Sequence, residues 1–505
     1  MTMTAHATPF VDVFALARET LEALFRELTE AGACSHVTLG EVITQGVARV
    51  AAHAFQGHLD ALFEQERAQV PLWPRPQGSK VRARARQLET EHGRMTIRRH
   101  GIQLADDLNA RFPLDRALSL PPELYSLSMR EKVARAALEA SFERSVERVD
   151  DATFGHVPKR QVEQEVVRAA ADFEAFYTTR TPPSNDTLSP RALQVMSADG
   201  KGITMRPEAL RDATRKEAEA QKGDVVRGDP MAPRKTQAFD KRMALVTAVW
   251  EQEPHERTAH DVLDRLERDP KKRARHPRSA KAPRPLNKRV AASIITSQAE
   301  GIGEMLDEAQ RRNPEGARTN IVLVDGDERQ LANIEAEAAK RGMQITIVLD
   351  LIHVLHYLWK ISILLSRDDR KAAALWVAHI LKQLLTRHPL DVIATIAQTA
   401  TNRKLTSAKR TELDAALDYL RKNSIRIHYA RFLAAGLPIA TGVIEGACRY
   451  LIQDRLGITG ARWGLIEAEA VLKLRAIRAS GDWEDYWVLH LQREHERNYP
   501  TAKAA

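Results

Sequence analysis

The sequence predicts a multidomain protein that is helical in its N-terminal part and α/β in its centre. Its 505 residues are too many for one compact core, so two to four domains are expected. Apolar residues recur at helical spacing through residues 10–68, whereas short β-branched runs begin near residue 190. This change of pattern predicts a helical region followed by an α/β domain.

The composition limits the classes of function. Hydrophobic residues make up 43% and charged residues 28% of the chain, as in ordinary globular proteins. The formal net charge of +9 favours a polyanionic partner. Two cysteines, Cys34 and Cys448, exclude a disulfide framework and a Cys-rich zinc cluster. Without a signal-peptide pattern or an apolar run of ~18 residues, we expect a cytoplasmic protein with no membrane span.

The first 90 residues predict a helical region followed by a linker. The apolar residues of segment 10–68 build one stripe, which predicts a helix that packs in a bundle or along a dimer seam. The stretch 70–90, which contains PLWPRPQG, predicts a linker.

Residues 127–172 predict a small helix-turn-helix unit that binds DNA. Two helices precede a tight turn at Gly155, and Pro158 opens a third helix. Glu163 and Glu165 on that helix would repel phosphates, so a purely structural three-helix packing is the alternative. The cationic and amide side chains that could reach phosphates and base edges are Lys159, Arg160, Gln161, Gln164 and Arg168.

The pattern after residue 190 predicts an RNase H-like fold. The first two expected strands form a hairpin, and EAEAAKRG predicts a crossover helix between the last two. Three strands in sequence, followed by helix–strand–helix–strand, is the element order of that fold. The strands are expected at 192–200, 202–207, 243–251, 320–326 and 344–350.

Two inserts interrupt this domain, and the first, residues 206–242, is polar and mixed in charge. The second, residues 271–290, holds nine Lys or Arg and no acidic residue, and its prolines oppose a helix. We interpret this second insert as an extended arm along DNA phosphates, with a solvated or disordered segment as the alternative. Residues 351–440 predict an all-α insertion. The arm residues chosen as DNA contacts are Lys271, Lys272, Arg273 and Arg275.

Three carboxylates are the candidate catalytic residues and metal ligands. Asp199 ends the first predicted strand, Asp325 ends the fourth, and Glu445 lies early in the final helix. In an RNase H-like fold, that helix packs beside the first strand and brings the three together. Carboxylates hold Mg²⁺, and two such ions can clamp a phosphodiester. The sequence therefore predicts a site for two Mg²⁺ ions, with Mn²⁺ as an alternative, although strand-end aspartates often only cap turns.

Several segments resemble a known family. SADGKGITMRPEALR (197–211), VLVDGDERQ (322–330), DLIHVLHYLW (350–359) and ATGVIEGACRYLIQDRLGITGARW (440–463) resemble, in order, signature segments of DDE transposases of the ISKra insertion-sequence family, relatives of Mutator-like transposases. FPLDRALSLPPELYS (112–126) and ASFERSVERV (140–149) resemble the N-terminal half of that family. The resemblance covers roughly residues 90–480 and places the acidic triad of the family on Asp199, Asp325 and Glu445.

The resemblance also implies supporting residues. Asp350 and His353 match a D-x-x-H motif and imply a role near the active site, with a packed His–acid pair as the alternative. Arg449, Arg462 and Trp463 fall where relatives present basic and aromatic groups to DNA, although Trp463 could equally belong to the core.

The sequence departs from the family at two places. Relatives often carry a cysteine pair in a zinc-binding segment, whereas residues 91–115 contain none, so no zinc is expected. DERQ follows the second aspartate where relatives tend to be aromatic. Asp327 and Glu328 are therefore open as substitutes for Asp325.

The resemblance implies metal-dependent DNA cleavage and strand transfer at insertion-sequence ends. The implied partners are double-stranded DNA, as element ends and target, and a second copy of the chain in a homo-dimer or larger synaptic complex. Two other functions are open: a domesticated or inactive transposase-derived DNA-binding protein, and a structure-specific RNase H-like nuclease.

The predicted domains follow these patterns along the chain. They are an N-terminal helical region at 1–90, a helix-turn-helix region at 91–190, a catalytic core at 191–350 with a basic insert at 252–289, an all-α insertion at 351–440, the final core helix at 441–480 and a C-terminal tail at 481–505.

Overall fold

The computed structural model divides the chain into two compact units, Met1–Thr178 with Glu484–Ala505, and Thr179–Trp483. No helix in the described part of the chain is both long and apolar enough to cross a membrane. The described residues are 12–74, 77–104, 110–182, 188–217, 240–266, 282–366, 369–401, 403 and 405–500.

The first unit combines helices with one two-stranded antiparallel sheet. Its elements, up to the crossing into the second unit, are α1 (Ala15–Glu30), α2 (His36–Gln69), β1 (Lys80–Thr90), β2 (Gly93–Gln103), α3 (Pro113–Ala117), α4 (Leu127–Ala137), α5 (Phe142–Ala152), α6 (Lys159–Ala169) and α7 (Phe173–Thr179).

Helices α1 and α2 confirm the helical prediction for residues 10–68. The linker predicted at 70–90 is wrong, because most of it forms β1. The alternating residues of KVRARARQ have the period of a strand, but one alternate set is basic rather than apolar. The apolar end of β1 is buried against β2 and α2, where Leu88, Met95 and Leu59 belong to one core cluster.

The three helices predicted in 127–172 are present as α4, α5 and α6. Ser126 and Ser141 cap the first two by accepting hydrogen bonds from backbone N–H groups of the first turn. Pro158, with extended backbone, stands immediately before α6. The predicted start of the third helix at Pro158 therefore agrees with the structure.

The second unit is mixed α/β, with a five-stranded sheet. Its elements, followed by the C-terminal helix that returns to the first unit, are β3 (Leu193–Thr204), β4 (Lys241–Gln252), α8 (Ala259–Leu266), β5 (Leu286–Ser293), α9 (Gln298–Arg312), β6 (Asn320–Val324), α10 (Glu328–Lys340), β7 (Thr346–Leu349), α11 (Leu351–Leu365), α12 (Arg370–Leu384), α13 (Pro389–Thr401), α14 (Ser407–Lys422), α15 (Tyr429–Ala434), α16 (Gly442–Ala447), α17 (Asp454–Leu456), α18 (Leu465–Ser480) and α19 (Trp483–Asn498).

The sheet has the strand order β5-β4-β3-β6-β7. Strands β3, β4 and β5 pair antiparallel, whereas β6 and β7 continue parallel to β3. Helices α9 and α16 pack on β3 and β4, and α18 packs on β5. Strand β3 is the central strand of the sheet, with β4 on one side and β6 on the other.

Two strand predictions need correction. Residues 202–207 do not form a separate hairpin strand, because β3 runs unbroken to Thr204 and pairs with β4 along its whole length. The third strand of the sheet is instead β5, which the sequence pattern had assigned to the basic segment. Its Arg289 pairs with Glu308 at 2.7 Å, so this cation is used inside the fold. Neighbouring arginines lower the pKa of Glu308 to about 2, against the effect of burial.

Helices α11 to α15 occupy the region predicted as an all-α insertion. The segment 481–505, predicted as a C-terminal tail, instead contains α19, which belongs to the first unit. Residues 501–505 lie outside the described residues.

Candidate active site

The sheet brings Asp199 and Asp325 to neighbouring positions. Strands β3 and β6 pair in one register up to Ser197 and Leu323. The same register, continued by two residues, sets Asp199 level with Asp325, and paired positions share one face of a sheet. The buried Gln330 at the start of α10 donates to the Ala198 carbonyl at 3.1 Å, which fixes α10 beside the middle of β3.

The helix of Glu445 reaches the same place through Cys448. The Cys448 thiol donates to Oδ2 of Asp199 at 3.3 Å. Glu445 precedes it by three residues, so both side chains lie on one helical face. The exposed Glu445 accepts a hydrogen bond from the Thr441 hydroxyl at 3.2 Å. At Cys448 the helix continues into a π-helical turn, Cys448–Gln453, a feature often found at functional sites.

Asp350 is a buried cap that joins two segments of this site. Its carboxylate accepts the backbone N–H of His353 and that of Thr441, both at 3.1 Å. Burial raises the pKa of Asp350, and the charge of Glu445 raises it further. The His353 side chain is exposed. In the D-x-x-H motif, the Asp350 side chain therefore caps α11 by accepting the His353 N–H. Its second hydrogen bond, from the Thr441 N–H, connects the start of α11 to the start of α16.

Tyr419 of α14 holds the backbone at Asp325. Its hydroxyl donates to the Asp325 carbonyl at 2.9 Å, and its ring stacks on Tyr357 with the centroids 3.9 Å apart. The next residue, Gly326, has φ +93°, and a Cβ there would clash with the Tyr419 hydroxyl. Burial raises the pKa of Tyr419, so it stays a hydrogen-bond donor at neutral pH.

The substitutes considered for Asp325 have other roles. Asp327 caps α10 by accepting the Gln330 N–H at 2.7 Å, and Glu328 pairs with Lys422 at 2.9 Å. The Asp327 N–H donates to Oδ1 of Asp325 at 3.0 Å. Asp325 thus remains the candidate acid at the end of β6.

The donor set fits divalent cations. Within the described ranges, Asp199, Asp325 and Glu445 form no ion pair with a Lys or Arg side chain. Hard oxygen ligands of this kind suit Mg²⁺. The ligand atoms of the three carboxylates do not all lie within 4.8 Å of one another, so they do not form a single-ion cluster as placed.

A second acidic group lies in the first unit. Asp172, His490 and Glu494 offer ligand atoms within 4.8 Å of one another, and all three are buried. Arginines already occupy these carboxylates: Arg497 contacts Asp172 at 2.8 Å, and Arg130 contacts Glu494 at 3.0 Å. A cation bound there would face both guanidinium groups, so we assign the group to an ion-pair network.

The side chains predicted to contact DNA from α6 are partly engaged. Lys159 pairs with Glu143, and Arg168 pairs with Glu123 at 3.1 Å. Arg160 is exposed, whereas Gln161 and Gln164 are half-buried. Glu165 points inward and binds Arg130 at 2.7 Å, so it does not oppose phosphates.

The remaining predicted DNA contacts fall into three groups. Arg449 and Arg462 are exposed. Trp463 is 4% exposed and donates from its ring nitrogen to the Leu456 carbonyl at 3.1 Å, so the prediction that it contacts DNA is corrected to a core role. The arm residues Lys271, Lys272, Arg273 and Arg275 lie outside the described residues.

Two residues of the site were not identified from the sequence pattern. Cys448 shares a helical face with Glu445, and the spacing of three could have found it. Tyr419 lies 94 positions beyond Asp325 in the chain, and no local pattern marks it.

No protein-family model matches this sequence, and no curated protein matches it significantly.

Proposed function

We propose that the protein is a DDE-type DNA transposase that uses Asp199, Asp325 and Glu445 to hold two divalent cations, Mg²⁺ or Mn²⁺. The observations that carry the proposal are the pairing of β3 with β6, whose register leads to Asp199 and Asp325, and the contact of Cys448, three residues after Glu445, with Asp199; none of the three acids is ion-paired with a Lys or Arg in the described chain. Uncompensated carboxylates in one place favour cation binding.

The strand order supports an RNase H-like core. Numbered along the second unit, the sheet has the order 3-2-1-4-5, with the first three strands antiparallel and the last two parallel to the first. In such a core the central strand and its parallel neighbour run side by side in the same direction, so residues late in both strands lie close together. The family resemblance of the segments around the three acids agrees with this arrangement.

The chain contributes positioning and charge to phosphoryl transfer. Two bound ions would activate the attacking oxygen and stabilise the leaving oxygen of a phosphodiester. Asp199 lies on the central strand, which pairs with β6 and contacts Cys448 of the Glu445 helix, and is therefore suited to be the shared ligand. Tyr419 fixes the Asp325 backbone, and Asp350 fixes the segment before Glu445. In this proposal water first cleaves a strand at the element end, and the freed 3′-hydroxyl then attacks target DNA.

The test is a strand-transfer assay with the full chain. The substrate is a labelled duplex made from the DNA that flanks the gene, including any inverted repeats, with a supercoiled plasmid as target. In Mg²⁺ we expect nicking at the repeat end and covalent joining of the labelled strand to the plasmid. EDTA should remove both products.

The products separate the proposal from its alternatives. Cleavage without joined product would favour a structure-specific nuclease with the same core. Binding without cleavage in either Mg²⁺ or Mn²⁺ would favour an inactive, transposase-derived DNA-binding protein.

Replacing Tyr419 by Phe should weaken metal use. The change deletes only the hydroxyl that holds the Asp325 carbonyl, so we expect the Mg²⁺ concentration for half-maximal cleavage to rise about 10-fold, the lower end of the effect of losing a group that orients a metal ligand. The maximal rate at saturating Mg²⁺ should change little. The measurement is a Mg²⁺ titration of the cleavage rate.

Tyr429→Phe is the matched control for Tyr419→Phe. Tyr429 also donates to a buried carbonyl, that of Leu349, at 2.9 Å. Both variants should lose similar stability, about 1 kcal/mol, but the control should keep the wild-type metal titration. Equal titrations in the two variants would contradict a positioning role for Tyr419.

A further inference from the structure

The ribbon formed by β1 and β2 concentrates positive charge. Residues 79–103 hold seven Lys or Arg and two acidic residues, and both acids, Glu89 and Glu91, lie near the turn that joins the strands. The opposite, open end of the ribbon contains Lys80, Arg82 and Arg84. The charge is therefore uneven along the ribbon.

Alternate residues of β1 place four cations on one face. Lys80, Arg82, Arg84 and Arg86 are spaced by two, and the side chains of such positions share a face. The innermost, Arg86, donates to the carbonyls of Pro121, at 2.8 Å, and Glu123. Burial lowers the pKa of Arg86. It is thus part of the fold rather than of the surface.

A cation of β2 on this face is also used internally. Arg99 lies opposite Arg84 in the register and pairs with Asp115 at 2.7 Å, and its guanidinium lies over the Phe112 ring at 4.1 Å. The acidic Asp115, which could neutralise this face, is therefore already paired with Arg99.

Acidic side chains of α2 pair with residues of β2. Arg98 pairs with Asp60 at 3.0 Å, and His100 contacts Glu66 at 3.2 Å. Helix α2 also reaches the face of the cation row at its inner end, where Leu59 and Leu88 belong to one core cluster. Within the described ranges, none of its acidic side chains forms an ion pair with the outer cations of that row.

Three cations remain as an exposed row. Lys80, Arg82 and Arg84 are exposed and form no ion pair within the described ranges. Successive members are about 6.7 Å apart because a strand rises about 3.3–3.4 Å per residue. A rigid, regular row of like charges matches a regular polyanion better than it matches a protein surface of mixed sign.

We propose that this ribbon is a double-stranded DNA-binding surface, with Lys80, Arg82 and Arg84 on the phosphates. A two-stranded ribbon has the width that the major groove of B-DNA admits. The inference rests on the proposed function only in taking DNA as the partner, and it assigns binding to a surface of the first unit, separate from the three carboxylates of the second.

The test compares two triple variants of the full chain. In the ribbon variant Lys80, Arg82 and Arg84 are replaced by Gln. In the control, the exposed Arg18, Arg26 and Arg49 of α1 and α2 are replaced by Gln, with the same loss of charge. Circular dichroism should show that both fold. Binding to a random-sequence duplex is then measured by fluorescence anisotropy between 50 and 200 mM salt.

The ribbon variant should bind more weakly and depend less on salt. Three lost phosphate contacts would lower the log–log salt slope by up to ~2.7, so the affinity of the wild type should fall roughly 40-fold more than that of the variant over this fourfold salt range. The control should keep the wild-type slope.

Three outcomes would overturn the inference. The first is an unchanged salt slope in the ribbon variant, and the second is an equal fall of the salt slope in the control variant. The third comes from a parallel measurement with anionic phosphatidylserine vesicles: the ribbon variant loses vesicle binding but keeps DNA binding. The cleavage assay keeps the two proposals apart. Ribbon-dependent binding without cleavage would leave the inference standing and reject the transposase, whereas cleavage with ribbon-independent binding would do the reverse.

Discussion

Asp325→Asn should abolish DNA cleavage while DNA binding persists. The amide keeps the size of the side chain but removes the charge that a divalent cation needs. We expect single-turnover cleavage to fall on the order of 10³-fold or more. Asp199→Asn and Glu445→Gln should behave in the same way. Two quantities are measured for each variant: the rate at which it cleaves a labelled duplex in Mg²⁺, and its affinity for the same duplex.

Asp327→Asn is the matched control for the acidic site. Asp327 lies two residues from Asp325 and caps α10, and Asn caps helices as well as Asp does. This variant should therefore fold and cleave like the wild type. Wild-type cleavage by Asp325→Asn together with an inactive Asp327→Asn would exchange the roles of the two residues and would contradict the site described above.

Arg130→Met should strongly destabilise the first unit. Arg130 is fully buried and binds Glu165, itself fully buried, at 2.7 Å. Burial alone would lower the pKa of Arg130, but Glu165 and Glu494 together raise it, which shows how fully the guanidinium is compensated. Its removal leaves buried carboxylates without a counter-charge, which costs about 3–5 kcal/mol. Urea unfolding followed by circular dichroism measures the loss.

Arg135→Met provides the comparison on the same helix. Arg135 is a partly exposed residue that pairs with Glu131 and Glu484 at the surface, both at 2.7 Å. Its loss should cost at most about 1 kcal/mol. Adding Glu165→Met to Arg130→Met should recover part of the larger loss, because the uncompensated charge is removed. Equal destabilisation by the two single variants would show that the network contributes no more than a surface pair.

Local patterns predicted most elements of this fold. Gly155 and Pro158 marked the turn before α6, and apolar periodicity marked α1 and α2. Strand β5 was missed because Lys288 and Arg289 gave it the composition of a basic arm, and only the fold reveals Glu308 as the partner of Arg289. Composition cannot separate a cation in solvent from one that is paired with an acid on a neighbouring helix.

The candidate site also contains residues that the sequence pattern predicted and residues that only the structure reveals. Asp199 and Asp325 were found because each follows an apolar run, although the prediction that Asp199 ends its strand is wrong, since β3 continues to Thr204. The register of β3 and β6, continued by two residues, sets them level. The contacts of Tyr419 with Asp325, and of Asp350 with Thr441, join residues about 90 positions apart. No periodicity encodes such pairs, so the residues that fix the acids in place could come only from the structure.

The return of α19 to the first unit has a consequence for synthesis. Arg130 and Asp172 emerge from the ribosome early, but their partners Glu494 and His490 emerge only after the whole second unit. At typical elongation rates this delay is roughly 15 to 60 s. During that time the nascent first unit carries buried charges without their final counter-ions. A chain that terminates before α19 would therefore present chaperones and proteases with an incomplete N-terminal unit.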